Sequence, residues 1–128
     1  MYIERKINKY KAIKTNYGGY NYPSKLEASM AYELDIRKKA GEIADWERQF
    51  SVEMPIYNAH GKVIYSIKHK IDFRTHEHDG TFVLIETKGF LTSDYVFRRN
   101  LLEKVWLPEH PDHTYEVVKE KSKRWRLA

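Results

Sequence analysis

A chain of 128 residues with 41% hydrophobic and 14% aromatic content can bury the core of one domain, and its 32% charged residues describe a solvated surface rather than disorder. It has no cysteine, which excludes disulfides and thiolate metal sites and suits a reducing cytoplasm. The net charge of +5 favours an acidic partner, and the longest strictly apolar run, Phe82–Ile85, is far too short to span a bilayer.

Residues 1–22 read as a basic, Tyr-rich arm ahead of a single domain over 23–128. MYIERKINKYK has no apolar core, so it is no secretory signal, and a cytoplasmic protein is expected. Arg5, Lys6, Lys9, Lys11 and Lys14 are opposed in sequence only by Glu4, with Tyr2, Tyr10, Tyr17, Tyr20 and Tyr22 interleaved. A second basic cluster, Lys119, Lys121, Lys123, Arg124 and Arg126, is opposed only by Glu120. Cations neutralise phosphates and rings meet bases or sugars, so the mixture suits nucleic acid; a pair of solvated termini is the plain alternative. Gly18-Gly19 marks a turn.

A helix is predicted over 24–40. Ser24 and Glu27 have capping-box spacing, Leu26, Met30 and Leu34 define a buried stripe, and Gly41 suits the position past the end. Gln49–Tyr57 and Val63–Phe73 read as strands joined by a turn at Ala59–Lys62. On the second, Val63, Tyr65, Ile67, Ile71 and Phe73 share one face, and Ser66, Lys68, Lys70 and Asp72 the other. Thr81–Lys88 is apolar on both faces and belongs in the middle of a sheet. A second helix, capped by Thr92, Ser93 or Asp94, has Phe97, Leu101 and Val105 as its stripe. It leads to a last strand at Thr114–Val118, reached by a helical crossover and so parallel to the third. The fold class is α/β, a mixed central β-sheet flanked by helices in the order α-β-β-β-α-β.

Glu86 and Lys88 lie two apart on that central strand and emerge on one face, directly after an apolar run. Charged groups there are costly unless partnered. Asp72 interrupts the apolar Ile71–Phe73 stretch, and pairing of the two strands would bring Asp72 and Glu86 to one edge. Glu27 either satisfies a backbone amide as a capping residue or faces the sheet with Met30 and Leu34 as a third acid. Converging carboxylates form a hard-oxygen site for Mg²⁺, with Mn²⁺ able to substitute. Such a metal activates water and offsets charge on a phosphodiester, and Lys88 adds a compact positive charge.

Ser24-Lys25-Leu26-Glu27, Ile71-Asp72-Phe73 and Ile85-Glu86-Thr87-Lys88-Gly89 together resemble the core of the PD-(D/E)XK nuclease superfamily, nearest to phage Holliday-junction-resolving endonucleases of the endonuclease I type. The likeness covers about residues 20–118 and includes a following helix with the basic pair Arg98-Arg99; position 71 is Ile where the family has Pro. It implies a restriction-endonuclease-like core and catalytic Glu27, Asp72, Glu86 and Lys88. Asp72, Glu86 and the Thr87 carbonyl would hold metal, and Glu27 a second metal or its water. It also implies a homodimer that nicks branched or junction DNA in phage recombination, leaving 5′-phosphate and 3′-hydroxyl ends. Arg5, Lys6, Lys9, Lys11, Lys14, Lys25, Arg98 and Arg99 are the expected DNA contacts. A duplex nickase or restriction-type endonuclease, and a non-catalytic basic DNA-binding protein, are the alternatives.

The histidines of His76-Glu77-His78-Asp79 and His110/His113 are read as solvated loop residues, since neither set has helical ligand spacing. Gln49 is either a site residue or a partner of the sheet backbone. Trp46, Trp106 and Trp125 are assigned to core or interface.

Overall fold

The apolar run Phe82–Ile85 lies where its composition demands, in the middle of a five-stranded sheet. The structure, a computed structural model, describes the backbone of residues 2–7 and 15–120 and the side chains of 15–120. Its strands are β1 (Tyr2–Ile7), β2 (Thr15–Tyr17), β3 (Tyr20–Tyr22), β4 (Asp45–Tyr57), β5 (Val63–His76), β6 (Phe82–Lys88) and β7 (His113–Glu120); its α-helices are α1 (Lys25–Lys39) and α2 (Ser93–Leu101). The large sheet has the order β1-β7-β6-β5-β4. β4, β5 and β6 are successively antiparallel, whereas β6, β7 and β1 are parallel. The expected mixed α/β fold with a parallel last strand is therefore present. Among the described residues no helix is long and apolar enough to cross a membrane.

The segment read as an arm is partly built into the fold. Tyr2–Ile7 adds a parallel strand beside β7. Gly18 and Gly19, both at positive φ (60° and 84°), close a two-residue hairpin between β2 and β3, the turn whose twist matches paired strands. Asp35 of α1 ties this hairpin down, accepting from the Tyr17 hydroxyl at 2.5 Å and from Trp46 Nε1 at 3.0 Å. Lys9, Lys11, Lys14 and the basic cluster beyond Glu120, with Trp125, lie outside the described residues.

α1 begins and ends as its sequence dictates. The Ser24 hydroxyl accepts from the Glu27 amide at 3.2 Å. At the other end Gly41 takes φ 79°, and Glu42 N–H and Gly41 N–H reach back to the carbonyls of Arg37 and Lys38, a Schellman closure. The helix lays Met30, Ala31 and Leu34 on one face of the sheet, against Tyr22, Ile43, Phe73, Ile85 and Val118. On the other face Val52, Met54, Ile71, Leu84, Tyr115 and Val117 pack under Leu102 and Leu107.

Three expectations are corrected. α2 is capped by Thr92, but it turns Tyr95 and Leu102 to the sheet and leaves Phe97 and Val105 exposed. The Tyr95 hydroxyl meets that of Tyr115 at 2.7 Å, and a π-turn over Leu102–Trp106 carries the chain on to Leu107. His76 belongs to β5 and bonds Glu47 with its side chain 37% exposed, while His110 stacks on Trp106 and His113 on Phe82; His78 stays exposed in the loop as expected. Finally, Ile71 and Phe73 pack on opposite faces of the sheet despite their even spacing. β4 does the same: Trp46 meets Phe73, whereas Phe50 meets Trp106. Between them Gln49 has φ 61° and leaves its rung, opposite Asp72, unpaired. A left-handed residue there turns the ribbon over at Asp72.

Leu34 is fully buried beneath the sheet. Leu34→Ala is expected to cost about 3 kcal/mol by lost transfer energy and cavity formation, read as a lower urea midpoint with unchanged m-value.

Candidate active site

β5 and β6 are hydrogen-bonded from His76↔Phe82 to Phe73↔Ile85 and no further. At the next rung stand Asp72 and Glu86, where the strands part. The Asp72 carboxylate takes over from the ladder: its Oδ2 accepts from the Thr87 amide at 2.8 Å and the Thr87 hydroxyl at 2.9 Å. Asp72 is thus fixed by β6, the strand that also carries Glu86 and Lys88.

Glu86 is buried and held from two sides. Its Oε1 is bonded by His69 Nε2 and by the Tyr115 hydroxyl at 3.0 Å, and its Oε2 lies 4.0 Å from Lys88 Nζ. Lys88 also sits 4.4 Å over the Tyr95 ring, a cation–π contact that holds the ammonium at the edge of the site. Burial and the neighbouring Glu86 charge push the Tyr115 phenol far above its ordinary range. His69, Tyr95 and Tyr115 were not singled out in the sequence. The available signal was alternation: His69 shares its face of β5 with Ile67 and Ile71, and Tyr115 alternates with Val117.

Glu27 settles its two readings. Its amide completes the cap of α1, but its side chain is 6% exposed and turned to the sheet. Among the described residues no hydrogen bond or ion pair reaches its carboxyl. Burial, then the charges of Asp72 and Glu86, push its pKa up to about 8, against a smaller opposing pull from Lys88. Burial and Glu86 likewise push Asp72 up to about 6, although the Thr87 bonds work the other way. Three acids from α1, β5 and β6 therefore repel one another around one place, with Lys88 as the cation beside them.

Among the described residues no three or more His, Asp or Glu side chains are grouped so as to hold one metal ion together. The donor set nevertheless fits a hard cation: Mg²⁺ ordinarily takes one or two carboxylates and completes its shell with water. Asp72 and Glu86 are such a pair, and a divalent charge relieves the repulsion that lifts Glu27 and Asp72.

The other expected contacts are dispersed. Lys25 is exposed on the first turn of α1, two residues from Glu27. Arg98 bonds Asp94 at 3.1 Å and the Lys68 carbonyl, and Arg99 lies 5.7 Å from the Tyr95 ring centre. Arg5 and Lys6 occupy the outer strand β1, opposite Val118 and Lys119. Gln49 is exposed at its twisted rung beside Asp72.

A family model described as "Protein of unknown function (DUF1064)" matches residues 7–122. The chain belongs to this family. The DUF1064 match spans Glu27, His69, Asp72, Glu86 and Lys88, so the whole site lies within the family's shared region. No curated protein and no solved structure matches the chain.

The raised acids set a pH dependence. Between their unfolded and folded pKa values they bind protons only when folded, so their stability contribution is greatest at low pH and lost as pH rises to about 8. In chelator, stability is expected to fall from pH 6.5 to about 8 and then level off, with a flatter profile for Glu27→Gln. Urea titrations across that range check it; a flat wild-type profile contradicts the raised Glu27.

Proposed function

We propose that this chain is a divalent-metal-dependent endonuclease that hydrolyses DNA phosphodiesters on a PD-(D/E)XK-type core. The observation that carries the reading is Glu27, a buried residue whose carboxyl stands without a hydrogen-bond or ion-pair partner among the described residues against Asp72 and Glu86. A purely structural acid at an N-cap faces water or the helix amides; burial against two further acids is sustained where a cation joins them.

Asp72, Glu86 and the Thr87 carbonyl would hold Mg²⁺, and Glu27 a second ion or its water. When bound, the metal supplies an activated water and counter-charge for the phosphate. The chain's own groups do the rest. Thr87 locks the Asp72 carboxylate, His69 and Tyr115 lock that of Glu86, and Lys88 presents its ammonium to the phosphate oxygens on which charge grows. Hydrolysis would join the water oxygen to phosphorus and break the P–O3′ bond, the water's proton ending on O3′, to leave 5′-phosphate and 3′-hydroxyl ends. Branched DNA cut by two copies of the chain is the substrate suggested by the likeness to endonuclease I-type enzymes.

A labelled four-way junction and a linear duplex of the same sequence, each incubated with Mg²⁺ or chelator, test this. Mg²⁺-dependent paired nicks confined to the junction are expected; cutting of both substrates keeps the nuclease and removes the junction preference. Binding without any cutting makes the chain a non-catalytic DNA-binding protein. Lys88→Ala is expected to lower cleavage roughly 100- to 1,000-fold while leaving DNA affinity within a few-fold. Mg²⁺ is expected to raise the thermal midpoint more at pH 8.5 than at pH 6.5, because protons compete for the same carboxylates.

A further inference from the structure

Past the site, β4 and β5 continue together as a two-stranded ribbon, in register through Met54↔Ile67 and Ile56↔Tyr65 and shifted by one residue at Tyr57↔Val63. β6 has already parted at Phe73, so among the described residues no third strand covers this stretch. Its tip is a built turn rather than a loose loop. Asn58 Oδ1 accepts from the amides of His60 and Lys62 at 2.9 and 3.0 Å, Asn58 N–H bonds the Lys62 carbonyl at 2.8 Å, and Gly61 takes φ 79°.

The ribbon exposes what folding ordinarily hides. Ile56, Tyr57, Val63, Ile64 and Tyr65 are each between 37% and 67% exposed. Ile56 lies across from Tyr65 and Tyr57 across from Val63, so exposed apolar side chains stand on both faces of the ribbon, and on an uncovered ribbon they mark an interaction surface. Its charge names the partner: from the Ser51↔Lys70 rung outward there are three lysines, Lys62, Lys68 and Lys70, against one acid, Glu53, which lies across from Lys68 and accepts from the Ser66 hydroxyl at 2.9 Å. All three lysines are exposed. A second copy packed on the ribbon would bring six lysines together against only two copies of Glu53. A polyanion with stackable or groove-lining apolar surface fits both features.

We infer that the β4–β5 ribbon is a DNA-engaging arm that grips the duplex to one side of the cleavage point, an inference that rests on the endonuclease reading. A two-stranded ribbon fits the major groove, apolar wedges can open base steps, and the lysines meet phosphates. β5 sets the spacing. Tyr65 and Asp72 are seven residues apart on one strand, about 23 Å at ~3.3 Å per residue. That corresponds to roughly seven base pairs at ~3.4 Å each.

The test is fluorescence-anisotropy binding of labelled duplex and junction DNA in chelator, where cleavage plays no part, with hydroxyl-radical footprinting and sedimentation of the same proteins. Tyr57→Ala/Tyr65→Ala is expected to weaken binding about tenfold. It should also erase protection about seven base pairs from the cut while leaving the thermal midpoint and its Mg²⁺ shift in place. Lys62→Ala/Lys68→Ala/Lys70→Ala is expected to lower the slope of log K against log salt by about 0.9 per lysine. Unchanged affinity and salt slope in both variants overturn the inference, even if the wild type cuts DNA. Loss of self-association in the tyrosine variant with DNA affinity intact overturns it too, and makes a second copy the occupant. Weakened binding in a protein that never cuts sustains the arm and removes the nuclease.

Discussion

Beyond the Phe73–Ile85 rung, β5 and β6 exchange no further backbone hydrogen bonds, and the carboxylate of Asp72 takes the Thr87 amide instead. Most of the site follows from that substitution. A continued ladder would have set Asp72 beside Glu86 as an ordinary cross-strand pair of like charges. Parted strands leave a gap at the sheet's edge, and a carboxylate that bonds a backbone amide can span it without leaving that amide unsatisfied. The gap admits Glu27 from α1 on one side and the Tyr95–Tyr115 pair on the other.

The parting has a counterpart on the far side of β5. Gln49 holds a left-handed conformation at the rung opposite Asp72, and both strands change face there. A non-glycine residue in that conformation is strained and persists only where its surroundings enforce it. Here they do: Trp46 and Phe73 are bound into the α1 side, and Phe50 and Ile71 into the α2 side. The two halves of the β4–β5 pair thus belong to different core layers, with the acid at the twist between them.

The electrostatic consequence is a site that opposes its own folding. Glu27 and Asp72 are both lifted by burial and by like charge, whereas Glu86 is secured by His69 and Tyr115. Stability is given up locally to keep three acids close, the trade expected where a cation or a reacting phosphate completes the balance. The two core layers carry that cost, since both clusters are built of hydrophobic side chains.

Much of this was legible in the chain alone. Cap and stop residues bounded α1, the doubly apolar run placed β6 at the centre, and the crossover made β7 parallel, because those features depend on neighbours a few residues apart. The E-x-K spacing and the isolated Asp72 marked the acids for the same reason. What the sequence could not decide was where periodicity would be broken. Even spacing put Ile71 and Phe73 on one face, but the twist at Gln49 separates them, and its cause is packing on two helices distant in sequence. His69 carries no local sign of its role, since only the closure of the sheet brings it to Glu86, seventeen residues away. Tyr95 displaced Phe97 from the helix's inner face for a hydroxyl partner twenty residues on, in another strand. Local chemistry determined the elements and named the acids; long-range packing decided which side chains hold them.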